Sequence, residues 1–139
     1  MHSNLDSIKG KKFSLDNFNN CYNSIKDFYA LHGINLKPNC SEKLIDILTY
    51  IKTGEIFKII KDLNFYEINL KDIKYGDLII FDNTKFINNG LPYHLAVYLT
   101  NNDFFHNTNM SRVDYFKKGD IERIYKIYRN KDFKYEIKK

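Results

Sequence analysis

Cys21, His94 and His106 are the side chains whose types and order could do chemistry together. A cysteine thiolate is a strong nucleophile, an imidazole near neutral pH can take the thiol proton, and a second imidazole can hold the first in place. Cys21 opens an apolar-periodic stretch, where unpaired backbone amides and the helix dipole favour thiolate over thiol. It reads equally as a small apolar residue on the buried side of that helix. His94 opens the run His94-Leu95-Ala96-Val97-Tyr98-Leu99, and His106 closes Phe104-Phe105-His106. If these runs pair through a three-residue loop at Thr100–Asn102, Ala96 opposes His106 and His94 lies diagonally across from it on the same face. One ring could then bond the other and fix its tautomer. Strand histidines also occur as plain structure. The three residues lack the short chelating pair of a zinc site, so neither metal nor cofactor is expected. His2 and His32 fall outside this arrangement, and Cys40 reads as a small residue near a helix cap.

The elements that must position these side chains follow from periodicity. Cys21, Ile25, Phe28, Tyr29 and His32 share one helical face, with Lys26 and Asp27 opposite, predicting a helix over 21–32 that Gly33 terminates. Asn19 or Asn20 can cap its start. After Pro38, Asn39-Cys40-Ser41-Glu42 resembles a capping box for a second helix buried through Leu44, Ile45, Leu48 and Ile51. Ile56, Ile59, Ile60 and Leu63 predict a short third helix. The runs Leu78–Phe81, His94–Leu99, Phe104–His106, Arg112–Tyr115 and Ile121–Tyr128 read as a meander of strands between Asn, Asp and Gly clusters. Helices followed by strands imply an α+β fold, an antiparallel sheet covered by helices. Residues 1–19 read as irregular, and 37–70 carries no clear motif.

Composition bounds the rest. The chain has 139 residues, 43% hydrophobic and 28% charged, which fits one globular domain over 1–139 able to fold without disulfides or metal. Two cysteines make no disulfide framework. No apolar run has the length of a membrane span, and Met1-His2-Ser3-Asn4-Leu5-Asp6 does not start a secretory signal, so export by that route is not expected. The net charge is +5, but the cations are mostly lysine and interspersed with acids. That pattern describes a solvated cationic surface better than a nucleic-acid stripe, so nucleic acid is not expected as a partner.

These residues, in this order, resemble the NlpC-type cell-wall cysteine peptidases, a circularly rearranged branch of the papain-like fold. The resemblance covers roughly residues 18–116. Asn20-Cys21-Tyr22-Asn23-Ser24-Ile25, followed by Phe28-Tyr29 and Gly33-Ile34-Asn35-Leu36, is similar to the family's nucleophile helix and its exit. Tyr75-Gly76-Asp77-Leu78-Ile79-Ile80-Phe81 resembles the Gly-Asp-Leu strand that precedes the histidine. His94-Leu95-Ala96-Val97-Tyr98-Leu99 and Asp103-Phe104-Phe105-His106-Asn107 resemble the two histidine strands, at the family's spacing. The resemblance implies Cys21 as nucleophile, His94 as general base and His106 as the residue that orients it. It implies peptide stems of peptidoglycan as substrate and an oxyanion met by backbone N–H groups around Asn20, Cys21 and Tyr22.

Two departures shape the expectation further. The family's Asp-Cys-Ser-Gly core is Asn20-Cys21-Tyr22-Asn23 here, with a bulky residue after the cysteine, and its glycine-rich approach is missing. Cys21-Tyr22-Asn23-Ser24-Ile25-Lys26-Asp27-Phe28-Tyr29 is similar to the corresponding run of the phage tail-tip assembly branch. That likeness implies a virion component, made in the host cytoplasm, with other tail-tip proteins as partners. The alternative on the same fold is a structural plug module with weak turnover or none.

Overall fold

In the computed structural model the described residues are 5, 7–10, 21–36, 53–54, 56–82, 93–100, 102–107 and 111–133. Helix α1 spans Cys21–Leu31 and α2 spans Ile56–Asp62. The strands are β1 (Phe65–Ile68), β2 (Leu78–Asp82), β3 (Tyr93–Tyr98), β4 (Asp103–Asn107) and β5 (Ser111–Tyr115). A short helix α3 (Lys118–Glu122) then precedes β6 (Ile124–Asn130). All pairings are antiparallel, in the order β1-β6-β2-β3-β4-β5. The α+β expectation therefore holds.

α1 ends as its sequence predicts. Gly33 adopts φ 80, and Gly33 N donates to Ala30 O while Ile34 N donates to Tyr29 O, a Schellman closure that satisfies the last carbonyls. The buried side of α1 (Ile25, Phe28 and Tyr29) joins Leu78, Ile80, Leu95, Val97 and Phe105 in one core. These strand residues alternate with Ile79, Phe81, Ala96 and Phe104, which build a second cluster on the other face of the sheet.

Three expectations need correction. The strands are no simple meander, because β6 inserts between β1 and β2. Both β2 and the second half of β6 are largely buried, and strands in that position need neighbours on each edge. The run Ile121–Tyr128 is helix up to Glu122 and strand only from Ile124. Asp120 causes this locally: its carboxylate accepts from Lys117 N at 2.8 Å and its carbonyl from Arg123 N at 3.0 Å, closing a turn the alternation could not reveal. Phe65–Ile68, within the stretch read as motif-free, is the edge strand β1. Near the amino terminus, in the stretch read as irregular, Leu5 and Ile8 are buried in the main core. The helix expected around Leu44–Ile51, and Cys40, lie outside the described residues.

One corner ties helix to sheet. Gly76 N donates to Tyr98 O and Tyr98 N to Asp77 O, both at 2.8 Å, so the corner continues the β2–β3 ladder. The Tyr29 hydroxyl donates to Gly76 O at 2.5 Å. Asp77 is fully buried, and its carboxylate accepts from Arg129 Nε at 3.0 Å, Arg129 Nη2 at 2.8 Å and Lys74 N at 2.7 Å. Arg129 Nη2 also donates to Asp72 O at 2.6 Å. Gly76 itself has φ 93, and a Cβ there would lie 2.5 Å from Cζ of Phe133. Backbone conformation and space both exclude a side chain.

Gly76→Ala is therefore expected to destabilise the protein by roughly 2–4 kcal/mol, combining left-handed strain with overpacking. Urea unfolding checks this. In a Phe133→Leu background the added cost should shrink, because the ring that the methyl would strike is gone.

Candidate active site

The β3–β4 hairpin has the expected register. Ala96 opposes His106, Val97 opposes Phe105 and Tyr98 opposes Phe104. The loop is closed by Leu99 N donating to Asp103 O at 3.0 Å and by the Asp103 carboxylate accepting from Thr100 N at 2.8 Å. Asn102 takes φ 68, a left-handed position that asparagine tolerates well. With this register His94 and His106 sit diagonally on one face, and His94 Nε2 lies 2.7 Å from His106 Nδ1. The rings meet edge to face at 75°, with centroids 5.0 Å apart. Nε2 is thereby engaged, and Nδ1 is the His94 nitrogen left for a reacting group.

The hydrogen-bonded run continues where sequence spacing pointed to nothing. His106 Nε2 lies 2.5 Å from Asp114 Oδ2, and Arg112 Nη2 lies 3.0 Å from Asp114 Oδ1. Strand β5 makes this possible: Arg112 opposes His106 and Asp114 opposes Phe104, so Asp114 reaches His106 on the diagonal. The signal in the sequence was slight, an acid alternating with Arg112 on the strand after the second histidine. It became readable only once β4 and β5 were paired.

The surroundings hold the rings neutral. Phe81 lies nearly parallel to the His94 ring, at 22° and 6.2 Å, and the Arg123 guanidinium stands 5.2 Å from the Phe81 ring centroid. Burial, then the charges of His106 and Arg123, push His94 down to about 3. Burial also lowers His106, outweighing the hydrogen bond and charge of Asp114 that pull it up. Partial burial works to raise Asp114, but the hydrogen bond from His106 and the charges of His106 and Arg112 hold it below the usual carboxylate range. At neutral pH the run is thus two neutral imidazoles ending in a carboxylate. A cavity of about 370 Å³ opens beside it, lined in part by His94, His106, Asp114, Lys117 and Arg123.

Cys21 is the first residue of α1, and no acid in the first turn competes for the amide groups there. Its side chain, that of Tyr22, and the whole of Asn20 lie outside what is described. The course of α1 is well marked. Tyr29 bonds the Gly76 corner beside Tyr98, and Phe28 packs 6.3 Å from Phe105, the partner of Val97. α1 packs on the sheet face opposite the two imidazoles, with Tyr29 at the Gly76 corner and Phe28 beside Phe105. His32 is built into the structure instead. Its Nδ1 lies 3.0 Å from Phe28 O, its Nε2 lies 3.1 Å from the Tyr75 hydroxyl, and its ring packs on Phe28 and Phe133. His2 lies outside the described residues.

Among the described residues no three His, Cys, Asp or Glu side chains converge as metal ligands would, and no helix is long and apolar enough to cross a membrane. The model of the NlpC/P60 family matches residues 10–135. No curated protein matches the chain.

The neutral state of His94 makes stability depend on acid. Unfolded imidazole binds a proton below about pH 6.5, whereas folded His94 resists it down to about 3. Between these values the unfolded chain holds more protons, so stability falls as pH falls, by up to a few kcal/mol. The lowered His106 and Asp114 act in the same direction. Urea midpoints measured from pH 7 to 4 should drop steeply for the parent protein and less steeply for His94→Gln.

Proposed function

The chain belongs to the NlpC/P60 family, and from that premise we propose that it is a papain-like cysteine peptidase or amidase acting on peptide stems of peptidoglycan. The family indicates a cell-wall hydrolase in general, and the residue roles are our reading. Cys21 is the nucleophile, His94 the general base and His106 the residue that orients it. The observation that carries this reading is the 2.7 Å contact between His94 Nε2 and His106 Nδ1. It occupies one side of a neutral imidazole and leaves Nδ1 as a base near the start of β3.

In this mechanism the Cys21 thiol gives its proton to His94 Nδ1, and the sulfur attacks an amide carbonyl of the stem. Backbone N–H groups at the head of α1, around Asn20, Cys21 and Tyr22, stabilise the oxyanion, assisted by the positive end of the helix dipole. The imidazolium returns its proton to the leaving amine, and water, activated by the same nitrogen, releases the acid from the thioester. The run Cys21–Tyr29 supports a further assignment to a phage tail, where such a hydrolase would open the wall locally among other tail-tip proteins.

Digestion of purified peptidoglycan, with released fragments identified by mass, tests the enzyme. Cys21→Ala and His94→Ala should each reduce release to background, on the order of 10³-fold or more, while remaining folded. His106→Ala should keep a small residual rate, and Cys40→Ala the parental one. Variants at Cys21 and His94 that digest like the parent would overturn the assignment.

Tyr22, bulky where the family carries a small residue, favours a second reading: a structural tail-tip module of the same fold without turnover. A thiol probe separates the two. Rapid labelling of Cys21 over Cys40 at neutral pH is expected of the enzyme, and equal slow labelling of the structural module.

A further inference from the structure

We propose that Asp114 is a positioning residue that decides, through His106, which nitrogen of His94 carries the proton. The inference rests on the proposed reaction for its consequence, but its geometry stands apart from it. An ionised carboxylate has no proton to give, so the 2.5 Å contact requires His106 Nε2–H to donate to Asp114 Oδ2. A neutral imidazole carries one proton, and His106 Nδ1 is then a bare acceptor. Its neighbour at 2.7 Å, His94 Nε2, must be the donor. His94, neutral as well, is left with a bare Nδ1, the state a general base needs. Each assignment follows from the one before, and the first is made by the only member of the run that cannot donate.

A pair of neutral histidines without a carboxylate has no such preference. In the mirrored arrangement His106 Nδ1–H donates to His94 Nε2, the proton of His94 sits on Nδ1, and no lone pair faces an incoming thiol. Asp114 removes that arrangement because it would set an unprotonated His106 Nε2 against a carboxylate oxygen. Arg112 supports this by holding the second carboxylate oxygen at 3.0 Å, which keeps the acid ionised and its first oxygen aimed at His106. The other charged groups lining the cavity are Lys117, Asp120 and Arg123; Arg123 Nη2 lies 3.4 Å from Asp120 Oδ1.

During the reaction the Cys21 S–H bond breaks, its electron pair stays on sulfur and a new N–H bond forms at His94 Nδ1. The resulting imidazolium keeps its Nε2–H on His106. No proton passes to Asp114, which stabilises the cation through the intervening ring and is regenerated unchanged when the leaving amine takes the proton back.

The test is ¹⁵N spectroscopy of the imidazoles in the full chain near pH 7, alongside peptidoglycan cleavage. The parent should show both rings protonated at Nε2 and bare at Nδ1. In Asp114→Asn the amide can donate to His106 Nε2, so both tautomers should invert or mix. kcat should then fall by on the order of 10²-fold or more with KM little changed. Asp114→Glu, which restores a carboxylate, should recover the parental tautomers and part of kcat. A parent protein with its His94 proton on Nδ1 overturns the inference without recourse to any variant, as does an Asp114→Asn protein with parental tautomers and kcat. If the parent cleaves no peptidoglycan, the hydrolase reading fails alone, and the spectra still decide the role of Asp114.

Discussion

The Gly76–Asp77 corner is the constraint on which the rest of the structure depends. A fully buried carboxylate is held by both ends of one guanidinium and by a backbone amide, and Arg129 brings β6 against the start of β2 in doing so. Such a pair contributes little to net stability relative to an apolar pair of similar volume, but losing either partner strands a buried charge. Its value is placement. The residue before it must be glycine, since Phe133 fills the space a side chain would take. The glycine carbonyl accepts from Tyr29, and its N–H continues the ladder to Tyr98. One short turn therefore sets the end of α1 against the end of β3.

The imidazole pair depends on a different balance. Burying two histidines side by side is unfavourable if either is charged, and burial does hold both in the neutral form. Neutral rings can still satisfy one another by hydrogen bonding, and here each nitrogen between them has a partner. Asp114 ends the run at its more exposed side, where a carboxylate retains part of its solvation. The charge thus stays nearer solvent than the His106 ring that it holds. For the proposed chemistry this supplies a base without a standing positive charge. The imidazolium formed in the reaction would be stabilised by Asp114 through His106.

Much of the positioning was legible in the sequence because it is local. Periodicity located α1, its Gly33 terminus and α2, and the loop length between the histidine runs set a register that placed both rings on one face. Hairpin register is decided by turn length and alternation, both of which are local properties of the chain. What went unread is non-local. β1 is only four residues long and has no apolar alternation, so its existence depends on the free edge of β6. The insertion of β6 between β1 and β2 joins segments roughly forty to sixty-five residues apart in the chain, which no local pattern encodes. Leu5 and Ile8 stand in a stretch that reads only as irregular, and it takes the packed core to show that they are buried.

The sequence by itself determined the chemical vocabulary: one cysteine at the head of an amphipathic helix and two histidines twelve residues apart on adjoining strands. Residue type and short-range spacing are enough for that, because a helix terminus and a tight hairpin are built by neighbours along the chain. Tertiary structure alone decided that the two imidazoles bond one another in neutral form, that Asp114 closes their hydrogen-bonded run, and that α1 is tied to the corner before β2. Those outcomes depend on desolvation and on contacts between distant segments. Both are set by which surfaces the packed sheet brings together, and neither is carried by any single stretch of residues.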